Sequence, residues 1–358
     1  MSRIPYKFLF LVLILVPGVM FARLPCCRYR LAGWWAEADY LLLWRKGRFY
    51  PPLVTTSLIG TPEAQAGVLG DPNTFILFGN TTYRESPVSG IRVDAGLWLT
   101  RCLGFGTTYI SGGNEQIKFR DESGPDGIPI LARPFVNMGV QERLLVSYPS
   151  PGLPLVGDVR VDTGNRFWVS DCYARYRLSR RGCTYLDLLG GFMYSEVEDD
   201  LDISSNSSAI IQEFRSDHFK AENNFYGALI GALFEYRKRC YAIQIIGKAG
   251  IGSMAEKVEI SGMTEIDGFV FERGLLATPA IIGDHSSHDF QIVPELLANF
   301  RFRIYPQLWW TLGYMFIMWP RLALAGDQVS LNTSESTFEM RKTYFWAQGF
   351  TTGLYVYF

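Results

Sequence analysis

The stretch Trp34-Trp35-Ala36-Glu37-Ala38-Asp39-Tyr40-Leu41-Leu42-Leu43-Trp44 alternates with a period of two. Trp34, Ala36, Ala38, Tyr40, Leu42 and Trp44 fall on one face; Glu37 and Asp39 fall on the other with Trp35, Leu41 and Leu43. Such alternation marks a β-strand with two different surroundings. The apolar face starts and ends on Trp, ten residues apart. A membrane-crossing strand needs about 9–11 residues and carries aromatic girdles at both interfaces. An edge strand of a soluble sandwich rarely has a Trp at each end of one face.

The pattern repeats along the chain. Ile91, Val93, Ala95, Leu97 and Leu99 alternate with Arg92 and Asp94, and Trp168, Cys172, Ala174, Tyr176 and Leu178 with Asp171, Arg175 and Arg177. Leu186, Leu188, Phe192 and Tyr194 share a face. The face Tyr226–Tyr236 opposes Glu235 and Arg237, the face Tyr241–Ile251 opposes Gln244 and Lys248, and the face Ile292–Ile304 opposes Glu295, Asn299, Arg301 and Arg303. Leu308–Met318 and a run ending at Phe358 complete the set. Short turns are expected near Arg101-Cys102, Ser179–Gly182, Lys238-Arg239 and Tyr305–Gln307, and long connections at about 45–88, 122–165, 199–213, 260–287 and 320–342. This alternation of short and long is that of an outer-membrane barrel with periplasmic turns and outer loops. The expected fold is all-β: a single antiparallel transmembrane barrel of ten to twelve strands with long outer loops.

The N-terminus fits export. Arg3 and Lys7 precede the apolar run Phe8–Val16, followed by Pro17-Gly18 and Met20-Phe21-Ala22. That order is a secretory signal peptide, too short to span a bilayer as a helix. Residues 1–22 are read as the signal and 23–358 as the barrel domain. Pro25 before Cys26 argues against a lipid-bearing cysteine. No later segment approaches 18 uninterrupted apolar residues, so lipid can be crossed only by a closed barrel.

Composition removes other classes. The 358 residues carry a formal net charge of −1, which gives nucleic acid nothing to bind. The six cysteines, 26, 27, 102, 172, 183 and 240, form no CxxC, and there is no HExxH or GxSxG. No enzyme, cofactor or metal is expected. His285 and His288 have a chelating spacing and Glu196, Glu198, Asp199, Asp200 and Asp202 form an acidic run, but neither fits a known metal loop.

Near the C-terminus, Thr351, Gly353, Val356 and Phe358 fit a polar–x–Gly–x–x–apolar–x–aromatic pattern. It is similar to the insertion signal read by the barrel assembly machinery. Several segments resemble the beta-barrel porin-7 family over about Trp34 to Phe358: Ala36–Trp44, Pro51–Ser57, Ala66–Gly70, Ile76–Gly79, Leu131–Phe135, Leu188–Tyr194, Asn224–Gly227, Gly274–Ala277 and Val293–Leu296. Where that family has Arg-Pro-Gly-Asp-Gln, this chain has Ala325-Gly326-Asp327-Gln328. The resemblance implies a barrel in the outer membrane more directly than it implies transport.

The candidate functional residues are the charges on the lumenal face: Glu37, Asp39, Arg92, Asp94, Asp171, Arg175, Arg177, Glu235, Arg237, Lys248, Glu295, Arg301 and Arg303. In a pore such charges set ion selectivity. In a small barrel they pair and fill the interior; eight-stranded barrels are packed, and open channels are familiar at 16–18 strands. Two functions therefore compete: a narrow porin-like channel for small hydrophilic solutes or ions, and a non-transporting structural or adhesive barrel displaying surface loops. The expected partners are outer-membrane lipid, the barrel assembly machinery and, for a channel, the solute. At least one apolar, Pro-rich loop is expected to fold over or into the mouth.

Overall fold

The computed structural model describes residues 33–84 and 87–358. The expected signal peptide, Cys26 and Cys27 lie outside them. Ten long strands form the wall: β1 (Gly33–Arg45), β2 (Val88–Trp98), β3 (Leu103–Glu122), β4 (Val156–Arg181), β5 (Thr184–Ser208), β6 (Gln212–Arg237), β7 (Tyr241–Ile266), β8 (Gly283–Arg303), β9 (Leu308–Leu322) and β10 (Thr343–Tyr357). Each pairs antiparallel with its neighbours in sequence, and β1 pairs with β10 to close the ring. Closure leaves no edge strand to satisfy in lipid.

The seam is built by the two segments most telling in the sequence. Asp39 faces Gly353 in the register and Trp35 faces Tyr357. Beyond β10, Phe358 exchanges backbone hydrogen bonds of 2.9 and 3.0 Å with Trp34, and the two rings stack at 4.6 Å. Gly353 is required there: a Cβ would collide with the Ala38 carbonyl and the Asp39 carboxylate. Phe358→Asp removes the stacked pair, worth about 0.5–1.5 kcal/mol beyond burial, and puts a charge at the lipid interface. We expect most of the folded, heat-modifiable protein to disappear from the outer membrane, as read by gel shift of envelope fractions.

Outer faces define the membrane belt. Trp34 to Trp44 on β1, Trp168 to Leu178 on β4, Tyr226 to Tyr236 on β6 and Ile292 to Phe302 on β8 each run ten residues. At about 3.3 Å per residue and a tilt near 40°, ten residues rise roughly 25 Å, the height of an outer-membrane apolar band. The upper boundary is sharp. The rings of Trp168, Tyr194 and Tyr226 contact one another at 4.8 and 4.9 Å, and above them the same outward face becomes Arg166, Glu196, Glu198, Asp202, His218 and Glu222.

The four short turns fall where expected. The outer connections are a correction. Residues 199–213 are not a long loop: β5 runs to Ser208 and β6 starts at Gln212. Likewise β4 starts at Val156 and β7 continues to Ile266. The outward flank of their outer halves is polar, so they carry no lipid-facing signal, while the inward flank keeps apolar residues such as Val159, Leu201, Phe219 and Val258 and the ladder continues. β4, β6 and β7 are each 26 residues long, so their upper ends stand roughly 30–40 Å above the belt by the same geometry. β1 and β2 have only 13 and 11 residues. The wall is tall on one side and low on the other, and the loops close the low side.

Candidate functional site: the filled lumen

Inward positions follow from strand parity. Odd residues of β1 and β8 and even residues of β2 and β7 point inward, which brings the lumenal charges together. On β1 and β2, Glu37 stands opposite Asp94 and Asp39 opposite Arg92. Like charges placed directly opposite repel. Arg92 offsets this: its guanidinium lies 2.8 Å from Asp39, 3.4 Å from Glu37 and 4.0 Å from Asp94. Asp94 is further held by Trp35 Nε1 at 2.7 Å, Thr108 at 2.9 Å and the Tyr173 hydroxyl at 2.6 Å.

Other pairs cross the bore. Arg301 on β8 reaches Glu37 at 2.7 Å and Gln244 at 2.8 Å, with its guanidinium carbon 3.9 Å from the centre of the Tyr355 ring. Lys248 on β7 reaches Asp171 on β4 at 2.8 Å, Thr108 on β3 at 3.2 Å and Glu295 at 3.5 Å. Arg92, Arg301, Glu37 and Asp171 are each at most 2% exposed. The void left among Glu37, Asp94, Tyr173, Arg175, Lys248 and Arg301 is about 10 Å³, no more than one water occupies. The bore is filled at this level.

The remaining candidates lie nearer the periplasmic end. Arg175 and Arg177 share Asp187, at 2.6 and 3.0 Å, and Arg237 pairs with Glu235 at 2.6 Å. Arg303 keeps lumenal parity but is exposed at the rim, where it donates to the carbonyls of Arg239 and Pro306. It belongs to the entrance and not to the buried lattice, a correction to its place among the lumenal charges.

Above the belt the loops turn inward, as expected for at least one of them. Val54–Ser57 and Thr74–Phe78 from the first loop pair with Ile130–Asn137 and Val140–Ser147 from the second, forming a four-stranded sheet inside the head. The apolar parts of these segments, with Leu275–Ala277 and Ala323–Val329, make a second core against Val159, Val161, Leu201, Ile203, Phe219 and Val258 of the wall. Gly67 packs against Ala132 with φ +78°, a backbone state that favours glycine, and it exchanges hydrogen bonds with Thr55 and Ser57.

Three wall residues pin this plug, and none was singled out in the sequence for that role. Asp217 accepts from Arg133 and from the backbone N–H groups of Leu276 and Ala277 at 2.8 and 2.7 Å. Asp199 accepts from Arg48 at 3.0 Å and from the Ala325 N–H at 2.8 Å. Asn223 makes a two-way pair with the backbone of Ala323 at 2.8 Å each way. Two segments that carried the family resemblance, Leu131–Phe135 and Gly274–Ala277, are among the pieces held, and so is Ala325–Gln328, where the chain departs from the family's Arg-Pro-Gly-Asp-Gln. The signal available in the sequence was a single carboxylate or amide at an inward position with no opposite charge in cross-strand register.

The weighed metal motifs dissolve. His285 and His288 lie on one strand, β8, three residues apart, and so on opposite faces. His285 bonds the Ile281 carbonyl at 2.8 Å and stacks on Phe338. In the acidic run, Asp199 faces the plug while Glu196, Glu198, Asp200 and Asp202 face out. Asp202 hydrogen-bonds His218 at 2.6 Å, which raises that imidazole above its ordinary range. Among the described residues no group of three or more His, Cys, Asp or Glu is placed to hold a metal.

Residues 35–358 match the sequence profile of the family described as "Putative beta barrel porin-7". The chain belongs to the beta barrel porin-7 family. The chain is similar, at low identity, to several solved structures. The outer membrane protease OmpT from Escherichia coli is 11% identical, with 92% of this chain and 98% of that one covered and a TM-score of 0.49. The Pseudomonas putida toluene transporter TodX is 8% identical over 92% and 90%, with a TM-score of 0.22. A Pseudomonas aeruginosa FadL homologue is 7% identical over 91% and 90%, with a TM-score of 0.24. Likeness at these scores carries nothing about the activity of the porin-7 chain. No curated protein matches it. This member of the porin-7 family is thus an outer-membrane barrel whose loop segments build an internal plug.

Proposed function

We propose that the protein is a closed outer-membrane barrel whose role is structural: it holds a rigid, loop-packed head at the cell surface. The observation that carries this reading is the lattice of Arg92, Arg301 and Lys248 with Glu37, Asp39, Asp171 and Glu295, which fills the bore and leaves a void of about 10 Å³. A passive pore needs a continuous wet path, and these pairs are buried and cross-linked. Desolvated charges of both signs in contact are costly to separate. The reading assigns no catalytic step to the chain and no transported solute. Its surface face is the rim, where a hollow of about 620 Å³ is lined by Glu122, Asp158, Glu213, Glu265 and Asp267.

Planar bilayers test it. Protein inserted in heat-modifiable form is expected to give no discrete conductance steps at modest voltage. Regular steps whose ion preference reverses with Arg301→Glu would replace this reading with the channel.

A further inference from the structure

The two ends of the barrel differ in charge. The segments 99–102, 177–185, 236–242 and 302–310, which contain the four periplasmic turns, hold no Asp or Glu. They hold Arg101, Arg180, Arg181, Lys238, Arg239 and Arg303, besides Arg177 and Arg237. Net charge over the whole chain is only −1, so this is an asymmetric placement and not an excess of cations.

Part of that charge faces a cavity. Beneath the filled bore lies a hollow of about 220 Å³ lined by Arg175, Arg177, Arg180, Arg237, Glu235 and four aromatic rings. Arg175 and Tyr355 form its roof, since both also line the small void above. The four guanidinium groups face two carboxylates: Asp187 serves Arg175 and Arg177, and Glu235 serves Arg237 while also lying 3.7 Å from Arg301. Counting these groups, four positive against two negative, the cup carries two uncompensated positive charges.

Aromatic faces hold these side chains together with the carboxylates. Arg177 lies 4.3 Å from the Trp98 ring and 5.1 Å from Tyr185. Arg180 lies 5.4 Å from Tyr185, and Arg237 lies 5.7 Å from Tyr357. A guanidinium stacked on a ring keeps its N–H fork available in the ring's plane, the geometry suited to carboxylate and phosphate oxygens. The lining residues face the lumen, Arg180 through the bulge between Arg177 and Ser179 that sets it opposite Tyr185, so the strands separate them from the bilayer. A headgroup on the outside of the barrel does not reach them without entering the mouth.

We propose that the periplasmic base of the barrel is an anion-binding cup for a small soluble polyanion, or the end of a polymer, bearing adjacent carboxylate or phosphate groups. The volume matches about seven waters, enough for a compact di- or trianion and too little for a folded domain. Binding there would tether the barrel to an anionic periplasmic component from below while the plug above stays closed.

The test uses purified full-length protein in a zwitterionic detergent, with inorganic pyrophosphate and citrate as probes and Trp fluorescence or calorimetry as readout. Saturable binding that weakens with salt is expected, with at least a ten-fold loss in Arg180→Glu. Arg180 is exposed and has no acidic partner among the described residues, so this variant is expected to keep its heat-modifiable gel shift. Arg180→Lys keeps the charge but not the fork and is expected to fall between. Arg120→Glu, at the opposite end, should leave binding unchanged. Equal binding by wild type and Arg180→Glu, or no saturable binding by wild type, overturns the proposal. Nanodiscs separate the sources: pyrophosphate affinity equal in phosphatidylcholine and phosphatidylglycerol discs supports a soluble ligand, whereas its loss in phosphatidylglycerol discs assigns the cup to lipid headgroups and overturns it.

Discussion

Arg92→Leu is expected to cost about 3–5 kcal/mol, the usual penalty for removing one partner of a buried charge cluster. Arg92 lies within 4.0 Å of Glu37, Asp39 and Asp94 and is 1% exposed. Without it, Glu37 and Asp94 face each other across β1 and β2 with no cation between them. Arg301 still reaches Glu37, but among the described residues Asp39 has no second cation within ion-pairing distance. The measurement is the midpoint of urea unfolding in lipid vesicles, followed by heat-modifiability. The double replacement Arg92→Leu with Asp39→Leu should recover a large part of the loss, because a charge pair exchanged for apolar groups of similar size is often neutral. If the single variant unfolds at the wild-type midpoint, the lattice contributes little to stability, and the closed-bore reading loses its energetic basis.

Asp217→Leu is expected to release the plug while sparing the membrane belt. It removes the only carboxylate paired with buried Arg133 among the described residues and strands two backbone N–H groups. An unpaired buried guanidinium costs about 3–5 kcal/mol, and each stranded donor about 1–3 kcal/mol if water does not reach it. The penalty falls on the contacts that hold these segments to the wall, so the loops at 123–155 and 267–282 should open locally around Arg133, Leu276 and Ala277. Limited proteolysis of intact cells or vesicles checks this: new cuts are expected in those two loops, with the barrel still heat-modifiable. The separation is possible because the belt has its own core, built around Trp35, Phe167, Met193, Phe225 and Trp319, distinct from that of the head. Asp217→Asn keeps an acceptor for the N–H groups and should show weaker cutting. Wild-type resistance in Asp217→Leu would mean that apolar packing alone holds the plug, and conductance measurements would then have to be repeated on this variant before its loops are called structural.

How far the sequence carried the fold depends on which environment a residue meets. Where one face of a strand meets lipid, alternation is strict, because every second side chain must be apolar. That is why Trp34–Trp44, Tyr226–Tyr236 and the final strand to Phe358 could be placed, their partners inferred from the short turns, and the ring bounded at ten to twelve strands, of which the structure has ten. Above the belt both faces of the wall meet polar or mixed surroundings. Strand from Asp199 to Ser208 therefore reads as an acidic loop, though its ladder to Gln212–Ala221 of β6 is continuous. The two histidines of β8 look like a chelating pair along the chain, and only the strand's parity sets them apart.

The lumenal charges were legible as a set, since inward parity follows from the lipid-facing pattern. Whether they line water or neutralise one another was not. That depends on distances across the bore, such as Arg301 on β8 to Glu37 on β1 and Lys248 on β7 to Asp171 on β4. Local sequence encodes which way a side chain points from its own strand; it does not encode the diameter that closure imposes. The plug has the same origin. Arg133, Gly274–Ala277 and Ala325 are brought to Asp199 and Asp217 only once ten strands have closed around them and the loops find their backbone donors facing inward carboxylates. By itself the sequence determined the strands, their faces and the membrane belt, because lipid imposes those residue by residue. Only the tertiary structure decided that the bore is filled and the loops are core, because both are properties of the enclosed space.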